Sequence, residues 1–287
     1  MPTDRLDARE VVRRLGGTAG WDQILRYSSS HSVRRAVASG ELRRIARGTY
    51  ALPETALPYQ AAAAARGLVS HGSAAQHWRL DRLNPDPVAH VTVPRHARPH
   101  VVRRAVLHFS DVPAQDDHGG VTSPLRTVID CALTLPFNEA LSIADSALRR
   151  ELITPEQLIA AAQARRRAGR KRALRVATAA DGRAANPFES GLRAIVLEAG
   201  ITGFEPQCPV QLQNRTAWVD LGDVSRRLAI EADSFAFHGT PEALNRDCDR
   251  YDEMVRIGWR VLRFTWEHVT LRADWVASVV VDTCDQL

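Results

Sequence analysis

Residues 218–239, WVDLGDVSRRLAIEADSFAFHG, have the pattern of a β-hairpin, yet acids stand where a strand pattern favours apolar or neutral residues. Side chains alternate faces along a strand, so Glu231 and Asp233 share one face while Ile230 and Ala232 take the other. Asp220 is expected to end the preceding strand and to lie beside Glu231 on that same side. Three carboxylates this close repel strongly in a partly dry site. A divalent cation with hard oxygen ligands, Mg2+ or Mn2+, removes that conflict. Such an ion polarises a scissile phosphate and lowers the pKa of bound water, and a second ion steadies the leaving oxygen. The same spacing also fits a solvated sheet edge whose charges prevent aggregation. Spacing alone leaves both readings open.

The flanking sequence extends the hairpin into a larger unit. NPFESGLRAIVLEAG reads as a helix with Pro187 near its start, an apolar face of Leu192, Ile195 and Val196, and Gly200 as its stop. Glu189 falls in its first turn. FEPQCPVQL, AWVDLGDV and RRLAIEADSF read as three successive strands, followed by the helix PEALNRDCDRYDEMVRIG and the strand WRVLRFTW. The expected order is α-β-β-β-α-β. Trp259, Val261, Leu262 and Phe264 are core residues in this reading.

The front of the chain has a different grammar. Val11, Val12 and Leu15, then Ile24 and Leu25 beside Trp21, then Val33, Ala36 and Val37 recur at helical spacing. Ser30 is the expected N-cap of the third helix and Gly40 its stop. Arg43, Arg44, Arg47 and Tyr50 around Gly48 suit a short two-stranded wing. Helix, turn, helix and wing is the order of a winged helix-turn-helix that reads DNA. In that arrangement His31, Arg34 and Arg35 enter the major groove, and Arg43 and Arg47 meet phosphates. A winged helix used for protein contacts is the alternative.

Residues 56–165 mix helical patches with the short strands PVAHVTVPR and RAVLHFSDV, the pattern of a small α/β domain. Its histidines, among them His71, His77, His90 and His108, show no H-x-x-x-H pair on one helix and read as scattered. ARRRAGRKRALR, residues 164–175, carries seven basic residues and no acid. It is either a solvated face and linker or a phosphate-contacting arm. The expected division is a winged helix over 1–55, an α/β domain over 56–165, a basic linker over 166–185 and a final domain over 186–287.

Charge follows the same division. Ten arginines face five acids in residues 1–52, whereas ten face sixteen in residues 186–287. A basic front and an acidic back suit a chain that grips a polyanion at one end and a cation at the other. The four cysteines are dispersed without a C-x-x-C pair, which argues against a disulfide framework and a structural zinc site. The sequence has no long apolar run, and MPTDRLDARE lacks the parts of a signal peptide, so a soluble cytoplasmic protein without membrane contact is expected.

Two resemblances sharpen these readings. RLGGTAGWDQIL and SVRRAVASGELRRIARGTYALP, with LVSHGSAAQHWRL, HVTVPR and GVTSPLRTVIDCAL, resemble the AbiEi-type antitoxins of type IV toxin–antitoxin systems over roughly residues 10–165. NPFESGLR, VDLGDVSRRLAIEADSFAFHG and NRDCDRYDEMVRIGWRVLRFTWEHV resemble the very-short-patch-repair-like endonucleases of the PD-(D/E)XK superfamily over about residues 186–285. The second resemblance implies Asp220 as principal metal ligand, Glu231 as second acid and Glu189 as the helix carboxylate that orients metal or water. It places His238 and Asp247 among auxiliary polar groups and sets Arg250 against a phosphate or an acid. Asp233 stands where the wider superfamily has lysine, as is common in the repair-like branch, which leaves the general base unassigned. His238 is the candidate, because an imidazole accepts a proton near neutral pH. Together the resemblances imply a Mg2+- or Mn2+-dependent DNA endonuclease held on DNA by its winged helix and basic linker. The alternatives are a DNA-binding regulator or antitoxin that keeps a nuclease fold for contacts alone, and a structural partner of a toxin.

Overall fold

The computed structural model describes residues 5–99, 104–165, 169–233 and 241–287, with the side chains of 241–244 excepted. These residues form a multidomain α/β architecture of two compact units, one of residues 1–78 and 86–127, the other of residues 79–85 and 128–287.

The first unit begins with α1 (Ala8–Arg14), β1 (Thr18–Gly20), α2 (Trp21–Leu25), α3 (Ser30–Ala38), β2 (Arg43–Ala46) and β3 (Thr49–Ala51). The strands form an antiparallel sheet in the order β1-β3-β2. Helix and wing share a core of Val11, Val12, Ile24, Val33, Leu42 and Tyr50. Asp7 fixes the helices against one another. Its carboxylate caps α1 through the Arg9 amide at 2.9 Å, accepts the Ser32 hydroxyl at 3.2 Å and meets Arg35 Nη2 at 2.5 Å. Ser29, not the expected Ser30, caps α3, accepting the Ser32 amide at 3.1 Å. Both serines precede the apolar stripe, and the extended backbone of Ser29 decides between them.

The same unit continues through α4 (Leu57–Ala65), β4 (Leu68–Val69), α5 (His71–His77), β5 (Ala89–Val93) and β6 (Ala105–Phe109). β4 pairs antiparallel and β6 parallel with the central β5. Gly67 lets α4 turn directly onto this sheet, since a Cβ there would sit 2.5 Å from the Thr92 carbonyl oxygen.

The second unit contains α6 (Pro124–Thr134) from residue 128 onward, with α7 (Phe137–Arg149), α8 (Pro155–Ala164), α9 (Arg170–Ala179) and α10 (Pro187–Glu198). Then follow β7 (Glu205–Gln211), β8 (Thr216–Asp223), β9 (Leu228–Asp233), α11 (Pro241–Arg256), β10 (Arg260–Thr265), α12 (Trp266–Leu271) and α13 (Ala273–Asp285). The segment read as a basic linker therefore includes a helix, α9, which buries Ala173, Val176 and Ala177. Its small apolar residues supply one packed stripe, while the basic residues stay on the other faces.

The sheet runs β10-β9-β8-β7, with β10 parallel and the others antiparallel. One face packs Leu221, Ile230 and Phe264 against Phe188, Leu192 and Val196 of α10 and Val276 and Val280 of α13. The other packs Cys208, Val210, Val219 and Ala229 against Met254 and Trp259. α10 is also tied to α7, where the buried Arg193 guanidinium donates twice to Asp145, at 2.7 and 2.6 Å. The order α10-β7-β8-β9-α11-β10 is the one expected from the sequence.

Candidate functional site

In the winged helix, His31 and Arg34 project from the N-terminal half of α3, and Arg43 and Arg47 from the wing, all exposed to solvent. None of these three arginines has an ion pair among the described residues. Arg35 differs. Asp7 holds its guanidinium, so its first role is to tie α3 to the start of α1.

The acidic residues of the second unit meet in a cavity of about 590 Å³ whose walls include Glu189, Asp220, Glu231, Asp233, Arg250 and Tyr251. Glu189 is positioned by the cap of α10. Asn186 Oδ1 accepts the amides of Phe188 and Glu189 at 2.9 and 3.0 Å, which starts the helix and turns the Glu189 carboxylate back toward the chain. That carboxylate accepts the Ala185 amide at 2.7 Å, Asn186 Nδ2 at 2.7 Å and Gln207 Nε2 at 3.0 Å. Burial, reinforced by the nearby charge of Asp220, raises its pKa to about 7 despite those donors.

Asp220 does not end its strand. β8 runs on to Asp223, whose buried carboxylate accepts Ser225 Oγ at 2.6 Å and the Arg226 amide at 3.0 Å, holding the β8–β9 turn. Asp220 is thus an interior position of β8, where its Oδ2 accepts the Ala232 amide at 2.8 Å and its carboxyl meets that of Glu231. Burial raises the pKa of both, and with Asp220 beside it Glu231 is pushed up to about 8.

Two guanidinium groups border the acids. Arg250 Nη1 donates to Glu231 Oε1 at 3.0 Å and Nη2 to Tyr251 Oη at 2.8 Å, with Asp247 Oδ1 4.0 Å from Nη2. Arg263, from β10, pairs with Asp233. Both guanidinium carbons lie over the Tyr251 ring, 4.7 and 4.4 Å from its centre. Of the alternatives left for Arg250, the acid is what it faces here.

Among the described residues no three His, Cys, Asp or Glu side chains are placed to hold one ion. Arg250 pairs with Glu231, the Ala185 amide and the Asn186 and Gln207 side chains donate to Glu189, and the Ala232 amide donates to Asp220 Oδ2. His238 lies outside the described residues.

The sequence reading did not anticipate the company that the histidines keep. His71 and His108 stack at 3.5 Å between ring centres, and His90 Nδ1 lies 3.0 Å from His108 Nε2. Burial pushes His71 down to about 2 and His108 to about 4, so these rings stay neutral at physiological pH. The parallel pairing of β5 with β6 creates this cluster, and local spacing holds no trace of it.

Fold and surface define a winged-helix module with exposed arginines in the first unit and an acidic cavity in the second. Residues 7–53, the winged helix, match the family of transcriptional regulators described as AbiEi antitoxin. Two uncharacterised proteins of Mycobacterium tuberculosis, MT2308 of strain CDC 1551 and Rv2248 of strain H37Rv, are each 29% identical over 167 residues. That alignment takes in 58% of this chain and 62% of theirs. The crystal structure of the RV2827C protein from the same organism covers 68% of this chain and 80% of its own, with 14% identity and a TM-score of 0.40. No helix among the described residues is long and apolar enough to cross a membrane.

Proposed function

We propose that the protein is a DNA-binding transcriptional regulator of the AbiEi antitoxin type. One observation carries this reading: the residues that match the regulator family are the ones that fold into the winged helix, with arginines exposed on α3 and the wing. His31 and Arg34 then read base edges in the major groove, while Arg43 and Arg47 neutralise phosphates. Each phosphate contact contributes about 0.9 to the slope of log affinity against log salt. The test is fluorescence anisotropy with duplexes from the region upstream of the protein's own gene, over a salt series. Arg43→Ala and Arg47→Ala should each lower that slope by about one and weaken all sequences alike, whereas Arg34→Ala should narrow the gap between specific and random duplex. Affinity unchanged in all three variants would reject the proposal. A cognate toxin is the partner that an antitoxin implies, and co-purification with the product of the neighbouring gene checks it.

A second reading, phosphodiester hydrolysis by a PD-(D/E)XK-like unit requiring Mg2+ or Mn2+, is favoured by the meeting of Glu189, Asp220, Glu231 and Asp233 in one cavity. Cleavage of supercoiled plasmid and of mismatched duplex with either ion, lost in Asp220→Ala, would establish it. Tight DNA binding without cutting would leave the regulator as the sole function.

A further inference from the structure

A cavity of about 880 Å³ opens in the first unit between β1, the start of α2, the β2–β3 wing and α4. Its size falls in the range of small-ligand sites. Trp21 and Tyr50 form one wall, with ring centres 6.1 Å apart and planes tilted by 39°. The Trp21 amide donates to the Gly48 carbonyl at 2.7 Å, which ties this wall to the tip of the wing.

Arg44, Arg47 and Arg66 line the same space, and Asp22 is the one acid among the described lining residues. None of the three arginines has an ion pair or side-chain hydrogen bond among the described residues. This contrasts with Arg35, Arg193, Arg226, Arg250 and Arg263, each of which has a carboxylate partner. Arg66 also sits in the left-handed region, at φ +54°, as the C-cap of α4, where glycine is the easier residue. An arginine there adds a third guanidinium to the cavity.

The wall chemistry specifies the ligand. Guanidinium groups match phosphate oxygens in a planar, two-point geometry. An indole beside them offers a face for a planar base. Three cations against one acid leave an excess of two positive charges, which suits a phosphate monoester or diester and opposes a cationic or neutral ligand.

We infer that this cavity binds a nucleotide, its base on Trp21 and its phosphate on Arg44, Arg47 and Arg66. The nucleotide comes either from solution as a free 5′-monophosphate or from bound DNA as an unstacked residue. The second source rests on the proposed DNA binding; the first does not.

The test uses the full chain and two probes. Calorimetric titration with AMP and GMP reads the free source, with adenosine and inorganic phosphate as partial ligands. Duplex DNA carrying 2-aminopurine reads the second source, since its fluorescence rises when the base leaves the stack. The variants are Arg66→Gln, Arg44→Gln and Trp21→Phe, each checked for its fold by circular dichroism. Either a nucleotide affinity that falls at least tenfold in both arginine variants, or a 2-aminopurine signal abolished by them, supports the inference and identifies the source. No nucleotide binding together with no 2-aminopurine signal overturns it, as does binding that both variants leave unchanged. Anisotropy with unlabelled-base duplex separates the two proposals: DNA affinity retained without either cavity signal rejects the nucleotide site alone.

Discussion

Replacing Glu189 by glutamine should change how stability depends on pH. Glu189 is only 8% exposed, and its pKa rises from the ordinary 4.5 to about 7 in the fold. Below pH 4.5 the carboxyl is protonated in both folded and unfolded chains and contributes no pH dependence. Between pH 4.5 and 7 the unfolded chain releases the proton while the fold retains it, so stability falls as pH rises. Above pH 7 the loss is complete, about 3 kcal/mol at roughly 1.4 kcal/mol per pKa unit. Glutamine keeps the shape and abolishes the ionisation, at a constant cost because its amide faces the donors from Ala185, Asn186 and Gln207. The difference in unfolding free energy, Glu189→Gln minus wild type, should therefore climb by about 3 kcal/mol from pH 4.5 to pH 7.5. Urea unfolding followed by tryptophan fluorescence, in EDTA so that only the protein's own groups titrate, measures it. A difference that stays flat across this range would refute the claim that burial outweighs the three donors.

Other perturbations test the remaining supports. Asp145→Ala leaves the Arg193 guanidinium buried without its carboxylate, and a loss of about 3–5 kcal/mol is expected in urea unfolding; a loss below about 1 kcal/mol would contradict it. Asp7→Ala removes the α1 cap and frees Arg35 and Ser32, so a cost of about 1–2 kcal/mol should appear in the melting of the winged helix. In the same module Arg35→Ala should weaken DNA binding less than Arg34→Ala, since Asp7 already takes part of the Arg35 charge; equal losses by anisotropy would argue otherwise. Gly222→Ala would place a Cβ 2.7 Å from that of Cys208 on the neighbouring strand, and thermal melting should show a loss of about 1–3 kcal/mol.

Much of this architecture was legible because its signals are local. The helical periodicities of residues 8–38, the wing around Gly48 and the order from α10 to β10 follow from patterns a few residues long. The same alternation sets Glu231 and Asp233 on one face, and with Asp220 they line one cavity. Partners from distant segments were not legible. Nothing in NRDCDRYDEM says that Arg250 rather than a cation meets Glu231, and nothing in WRVLRFTW says that Arg263 meets Asp233 over the ring of Tyr251. Local reading also misjudged ends. It ended the strand at Asp220, whereas β8 runs on and the carboxylate of Asp223 organises the turn from its last position.

The second unit recruits residues 79–85 from ahead of the long excursion of residues 86–127. Arg82 and the Asn84 amide from that short piece satisfy the buried carboxylate of Glu139, at 3.1 and 2.7 Å. A fragment starting at Val128 would keep the whole sheet and acidic cavity yet strand a buried anion on α7. Recombination could not transplant this unit by a single crossover, and the chain's modularity is that of two interlaced threads.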